Sequence, residues 1–408
     1  MRRSEFFREA RYDRPGPLAG LRVVELTTTW SGPMAGCLLA DLGADVIKVE
    51  DPEGEVARRV PPMLPGPAAP VSFMHASVNR NKRSLTLDLH DARAREILLR
   101  LVARTDVVIE NFRPGTLDRF GLGFGELRAM KHDLVLVSIS GFGQWGPDHE
   151  RAGYDPLAQA ASGWMSLNGE PDGEPLKAPT FLADDLAGLH AALSALAALH
   201  HRELTGEGQH VDVALLDSLL FQSNGYLTLG PLGEELPRMG NQFRIAAPAN
   251  TYRCRDGAVT AGVLVDAHWK ILARVIGRPE LADDPGYATT QPRLARRDAV
   301  DGLLRDWLAE RSVAEAEDLF LGAGLPFACV RSYAEAARDP HVRERAMLQE
   351  TPVEGGRVPL TGPAAKFSRT PTRIRSGPPA LGADTDSILE ELGVSAEERA
   401  LLRSEGVI

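Results

Sequence analysis

The sequence predicts an α/β protein with a doubly wound, mainly parallel sheet in a large domain, joined to a smaller α+β domain. Three observations carry this. Short apolar runs alternate with helical stretches through the first part of the chain, the pattern of a parallel sheet covered by crossover helices. Near Ala249 the texture changes, and two strand-like runs flank Asp256-Gly257, a tight-turn signal. The chain has 408 residues, 43% hydrophobic and 25% charged. That length exceeds what one compact core holds, so two domains are expected.

The elements follow in order. Leu21–Leu26 is a strand and Thr27–Gly32 a loop. Pro33 suits the first turn of a helix, which Met34–Leu42 continues and Gly43-Ala44 ends. Asp45–Glu50 is the next strand, and the Pro-rich stretch 55–70 is a loop. Ala92–Thr105 is helical, Asp106–Glu110 a strand, Phe124–Lys131 helical and Leu134–Ile139 a strand. Leu186–Leu199 is a long apolar helix, and from Gln209 the chain alternates like a strand. Residues 222–248 are rich in Gly, Pro and polar groups and form a linker or long loop. A hairpin of Asn250–Cys254 and Ala258–Val265 precedes helices at His268–Ile276 and Asp298–Glu310. Asp386–Leu392 and Ala396–Glu405 are short helices in the tail. The expected division is a Rossmann-like large domain over 18–225, a small domain over 240–345, and a segment 346–408 that returns to the large domain.

The net charge of −10 makes broad nucleic-acid binding a poor expectation, because neutralising phosphates needs a basic surface. The cysteines, Cys37, Cys254 and Cys329, are odd in number and widely spaced, which suggests neither a disulfide framework nor a zinc site. The first residues lack the apolar core of a signal peptide. His190 and Ser194 interrupt the long apolar helix, which fits a buried helix better than a membrane span. A soluble cytoplasmic protein with no membrane partner is the expectation.

Parallel sheets of this kind bind ligands outside the carboxyl ends of their strands. Gly121-Leu122-Gly123-Phe124-Gly125 lacks the third glycine of a nucleotide fingerprint and follows no strand directly. Asn79–Arg83 is a basic cluster before a strand: either a solvated loop, or cations for a phosphorylated ligand, with Lys82 as point charge and Arg80 or Arg83 as planar forks. Glu110–Gly115, followed by Arg119, puts amide, aromatic and basic groups at a strand end. Gly141–Pro147 and then Tyr154-Asp155 follow the next strand. No HExxH pair or Asp/His cluster has metal spacing, and no Gly-x-Ser-x-Gly elbow occurs. If the chain is an enzyme, a carboxylate is the group expected to do the chemistry. Asp184 and Asp185 open the long apolar helix. Each can be a helix cap, or a nucleophile held at the positive helix end. The residue types alone leave both open.

Taken in order, these pieces resemble the class III CoA-transferase family, which includes formyl-CoA and carnitine CoA-transferases and alpha-methylacyl-CoA racemases. The matching residues include Gly32-Pro33, Gly43–Glu50, Asn81–Ser84, Asp106–Gly115, Arg119–Leu122, Ser138–Gln144, Gly146-Pro147 and Tyr154-Asp155. They continue through Asp184 and Gly188, Thr205–Gln209, Arg238–Asn241 and Leu389–Gly393. Any one motif is weak; the ordered series is specific and runs from about Leu18 to the end.

The resemblance implies a CoA-transferase that works through an aspartyl-CoA thioester. The family's nucleophilic aspartate is followed four residues later by glycine, so Asp184, with Gly188 in place, is the implied catalytic residue. Its implied CoA contacts are Trp30, Ser31, Lys82, Asn111, Phe112, Arg119, Tyr154 and Asp155. Coenzyme A enters as acyl-CoA substrate, no tightly bound cofactor is implied, and the implied assembly is an interlocked homodimer. Asp51 departs from members with an arginine there, leaving Lys48 or Arg58 as possible substitutes for that nucleotide contact. In place of the glycine-rich lid loop of formyl-CoA transferase only Met239-Gly240-Asn241-Gln242 is found. The alternative is an acyl-CoA racemase or isomerase, whose branch carries histidine thirty residues before the aspartate. Here that position is Tyr154, a poor proton-exchange partner at neutral pH. A non-catalytic CoA-binding scaffold is the remaining alternative.

Overall fold

The computed structural model describes residues 1–64, 70–353 and 356–408. The chain forms two compact units. The first comprises Met1–Trp164, Lys177–Glu234 and His341–Ile408, and the second Met165–Leu176 and Glu235–Pro340.

The first unit is built on six strands: β1 (Arg22–Leu26), β2 (Asp45–Glu50), β3 (Lys82–Thr86), β4 (Val107–Glu110), β5 (Val135–Ser140) and β6 (His210–Ala214). They lie in the order β3-β2-β1-β4-β5-β6, and every neighbouring pair is parallel. Val24 stands opposite Ile47 on one side and Val108 on the other. β4 and β5 are buried at every position. Continuous burial, rather than alternation, marks a parallel sheet covered on both faces.

Alternate strand residues feed two cores. Val24, Leu26, Ile47, Val108 and Leu136 pack with Ile97, Leu98 and Leu101, and with Ile388, Leu389 and Leu402 of the tail helices Thr385–Glu391 and Ala396–Ser404. Val23, Val46, Val107, Ile109 and Val135 pack on the other face with Ala35 and Leu39 and with Ala187, Ala191 and Ala195. Helices of this unit include α1 (Ser31–Asp41), α2 (Phe73–Asn79), α3 (Ala92–Val102), α4 (Phe124–Met130), α5 (Asp155–Ala161), α6 (Leu182–Thr205) and α7 (Leu215–Phe221). α6 is long and apolar enough, by length and composition, to cross a membrane. Here its alanine-rich face is a core surface, with Ala183, Ala187, Ala191, Ala195 and Ala198 buried.

Within the Pro-rich stretch 55–70, Val56–Arg59 forms a 3-10 helix and Met63–Leu64 pairs with Val71–Ser72; residues 65–69 lie outside the described ones. α2 and α7 carry no periodic signal long enough to read from the sequence. Residues 226–232, inside the expected linker, form a 3-10 helix.

The second unit has an antiparallel sheet of β7 (Ala249–Arg253), β8 (Ala258–Gly262) and β9 (Phe327–Cys329), in the order β9-β8-β7. Helices α8 (Asp266–Val275), α9 (Arg297–Ala309) and α10 (Val313–Gly322) bury Trp269, Leu272, Leu304 and Phe320 around it.

Candidate active site

Strand order reverses between β1 and β4, and the loops that leave their carboxyl ends build one corner of the site. Such a reversal opens a crevice for ligands. Asn111 follows β4. Its Oδ1 accepts from the Thr28 N–H at 2.8 Å and its Nδ2 donates to the Thr28 carbonyl at 2.9 Å. One side chain thus clamps the loop after β1 to the end of β4. Thr29 sits in the left-handed region at φ 62°, costly for a branched residue, and its N–H donates to Glu55 Oε2 at 2.7 Å. This strained turn delivers Trp30 and Ser31 to the start of α1.

α6 delivers the aspartates. Its N-cap is Phe181, and Asp184 and Asp185 lie inside the first turn. Neither is the N-cap; Asp185 is an acidic residue of the helix start without capping it. The two carboxylates diverge. The Ser31 hydroxyl favours the ionised form of Asp184, and Asp185 Oδ1 accepts from Trp30 Nε1 at 2.7 Å. The Trp30 ring also packs on Phe181, centroids 5.2 Å apart. One turn below Asp184, Gly188 lets α1 come close: a Cβ there would lie 3.0 Å from the Ser31 carbonyl oxygen and 3.1 Å from Met34 Cβ. The spacing of aspartate and glycine therefore has a steric cause. The glycine sets the distance at which Ser31 meets Asp184.

Burial pushes the Asp184 carboxyl up to about 7; the neighbouring Asp155 and Asp185 charges add to this and the Ser31 hydroxyl opposes it. Asp185 is also raised, by burial first and then by Asp155, against the Trp30 hydrogen bond. A carboxylate poised near neutrality beside a hydroxyl donor is a group selected for chemistry more often than for stability.

The other predicted contacts divide. Phe112 is half-buried against the core and its N–H donates to Glu110 Oε2 at 2.8 Å. Glu110 itself is pushed up to about 7 by burial, then by Asp212 and Asp118, against hydrogen bonds from Ser138 and Phe112. It is a buried polar support of this loop that composition gave no reason to single out. Arg119 is exposed; its guanidinium touches the Thr116 hydroxyl at 2.8 Å, and among the described residues no carboxylate pairs with it. Tyr154 is 64% exposed and precedes α5. Asp155 is buried, with Oδ1 accepting from the Ala183 N–H at 2.7 Å.

Lys82 departs from the expected set. Its ammonium is buried beneath α1 and donates to Glu25 Oε1 at 2.8 Å, the Pro33 carbonyl at 2.8 Å and Asn79 Oδ1 at 2.9 Å. All three donors of an ammonium are thereby used inside the chain. Asn79–Arg83 is accordingly no solvated loop. Arg80 forks onto Asp41, at 3.2 and 2.6 Å, and Asn81 bonds Asp41 and the backbone of Arg375 and Ser376. The two substitutes for the arginine at Asp51 are also engaged. Lys48 is buried against Glu25 and Glu55, at 3.4 and 3.2 Å, and Arg58 grips Glu50 at 2.6 Å. In the glycine-rich loop after β5, the Gly143 N–H donates to Ser140 Oγ at 3.0 Å and the Gln144 N–H to Asp212 at 2.9 Å, so both are turned inward.

A carboxyl raised toward neutrality at the carboxyl-end crevice of a doubly wound sheet marks a candidate active site. Comparison with known proteins names the class: residues 18–385 match CoA-transferase family III, and the chain belongs to that family. It is 37% identical over 388 residues to a succinyl-CoA:mesaconate CoA-transferase of Haloarcula hispanica, spanning 93% of this chain and 97% of that protein. It is 36% identical to a formyl-CoA:oxalate CoA-transferase of Streptomyces avermitilis, spanning 96% and 99%. Among solved structures, a CAIB/BAIF family protein from Brucella suis superposes with a TM-score of 0.83 at 37% identity, spanning 93% of this chain and all of that one. The protein is a class III CoA-transferase.

Proposed function

We propose that the enzyme moves CoA from an acyl-CoA thioester to a carboxylic acid through an aspartyl-CoA thioester on Asp184. The observation that carries this is the placement of Asp184 in the first turn of α6, with Gly188 close against Ser31 at the start of α1, where burial holds its carboxyl up near 7. In its ionised form Asp184 attacks the thioester carbonyl, and the C–S bond breaks to give a mixed anhydride and CoA thiolate. The thiolate attacks the aspartyl carbonyl, which leaves an aspartyl-CoA thioester and the free donor acid. The acceptor carboxylate then attacks that thioester, and the expelled thiolate takes the acceptor acyl group and frees Asp184. Each step passes through an oxyanion that nearby donors must stabilise. Ser31, beside Asp184, is the candidate donor. Arg119, exposed and without a carboxylate partner among the described residues, serves a CoA phosphate. Trp30, Phe112 and Tyr154 supply ring surface.

A homodimer is part of the proposal. The outer side of α6 leaves Leu189, Leu193 and Leu204 exposed, and Phe221 of α7 is exposed too. Apolar side chains repeating along one helix face are what a second copy would cover.

The test is a pair of variants. Asp184→Ala should abolish transfer across a panel of acyl-CoA donors and carboxylic acids while CoA still binds. Asp185→Ala should keep most of the rate. Native transfer by Asp184→Ala would end the proposal.

A further inference from the structure

We infer that Asp155 is a positioning residue for Asp184: its buried carboxylate closes the amino end of α6 from the neighbouring helix α5 and does not touch the acyl-CoA. The inference rests on Asp184 as the reacting group. A helix start leaves N–H groups unpaired, and a side chain normally caps them from within the same chain segment. Phe181, at the N-cap of α6, has no side-chain acceptor to offer. Asp155, 28 residues before Ala183, fills the role: its Oδ1 accepts the Ala183 N–H at 2.7 Å. Its other oxygen is held as well. Gln159 Nε2 donates to Oδ2 at 2.7 Å, and Gln159 Oε1 accepts the Ala178 N–H at 2.7 Å. Asp155 and Gln159 are both buried. The pair therefore ties the segment before α6 and the first turn of α6 to one rigid point, with Asp184 the residue after the bonded N–H.

Asp155 also sets the electrostatics of Asp184. The charged groups that face Asp184 are Asp155 on α5 and Asp185 on its own helix, while α1 contributes the Ser31 hydroxyl. After burial, the Asp155 charge is the largest cause that keeps Asp184 from ionising at low pH. A carboxylate that both fixes the backbone and repels the nucleophile's charge has two separable effects. Asn can keep the Ala183 bond while removing the charge, although its amide nitrogen cannot accept from Gln159 Nε2, and Ala removes both bonds and the charge.

The experiment compares Asp155→Asn with the native enzyme. The acid limb of kcat/KM should move to lower pH by about one unit, as expected for loss of a neighbouring like charge. KM for acyl-CoA should stay within about twofold, because the side chain makes no ligand contact. Asp155→Ala should lose about tenfold or more in kcat; if it does not fold, Asp155→Asn still decides. A tenfold rise in KM with an unmoved acid limb would overturn the inference and put Asp155 on the substrate. An unmoved limb with unchanged KM would overturn it too. A readout free of activity separates this from failure of the nucleophile proposal. In the Asp155→Asn background, the pH-dependent stability gain from Asp184→Asn should shrink. If it is undiminished, Asp155 does not act on Asp184, whatever reaction Asp184 performs.

Discussion

A carboxyl held near pH 7 inside a fold is a stability cost, and Asp184→Asn measures it. The fold prefers the protonated form, with the group displaced from 3.8 to about 7. Between those values the folded chain keeps a proton that the unfolded chain has released, so stability falls as pH rises through the window. Below about pH 4 both states are protonated and the term vanishes. Above 7 it is fully expressed, worth about 4 kcal/mol at about 1.36 kcal/mol per pH unit. Asn carries no charge at any of these pH values and can still accept the Ser31 hydroxyl. The variant should therefore exceed the native protein by about 4 kcal/mol at pH 8, by about 1–2 kcal/mol at pH 5, and lose transfer activity. Urea denaturation at the two pH values reads the difference. Equal stability at pH 8, or a gain that does not change with pH, would refute the placement of Asp184 as a desolvated carboxyl.

Three further outcomes follow from the same geometry. Lys82→Met removes a buried cation from Glu25 and should cost about 3–5 kcal/mol in urea denaturation, with KM for acyl-CoA unchanged; a stable variant with raised KM would put the ammonium on the ligand instead. Arg119→Ala should raise KM for acyl-CoA about tenfold or more, the size of a charged hydrogen bond, and leave the urea midpoint unmoved. Gly188→Val pushes against the Ser31 carbonyl and Met34, so it should destabilise by about 1–3 kcal/mol and lower kcat with KM little changed, as steady-state kinetics would show.

The framework was legible because its signals are local. Short runs rich in valine and isoleucine, such as Val107–Glu110 and Val135–Ser140, mark buried parallel strands, and the hairpin over Asp256-Gly257 is a turn-type signal. What stayed hidden was pairing between distant residues. The sequence places Lys82 in a basic cluster, yet only the fold brings Glu25 and the Pro33 carbonyl to its ammonium. Asn111 likewise reads as a group at a strand end, and its bond to Thr28 spans 83 residues. α6 begins at Leu182, four residues before the apolar run that marks it in the sequence, because its cap comes from Asp155 on another helix. Local cap chemistry had no way to announce that. The Asp184 to Gly188 spacing was visible, but its cause, the approach of Ser31, required the packing of α1 on α6.

The most direct test of the central claim is the covalent state of Asp184 during turnover. The native enzyme is mixed with an acyl-CoA, quenched, digested and read by mass spectrometry. A CoA thioester on the peptide that contains Asp184, converted by hydroxylamine to the hydroxamate and absent in Asp184→Asn, is the predicted result. Continued transfer with no adduct on Asp184, or an adduct on another carboxylate, would contradict it.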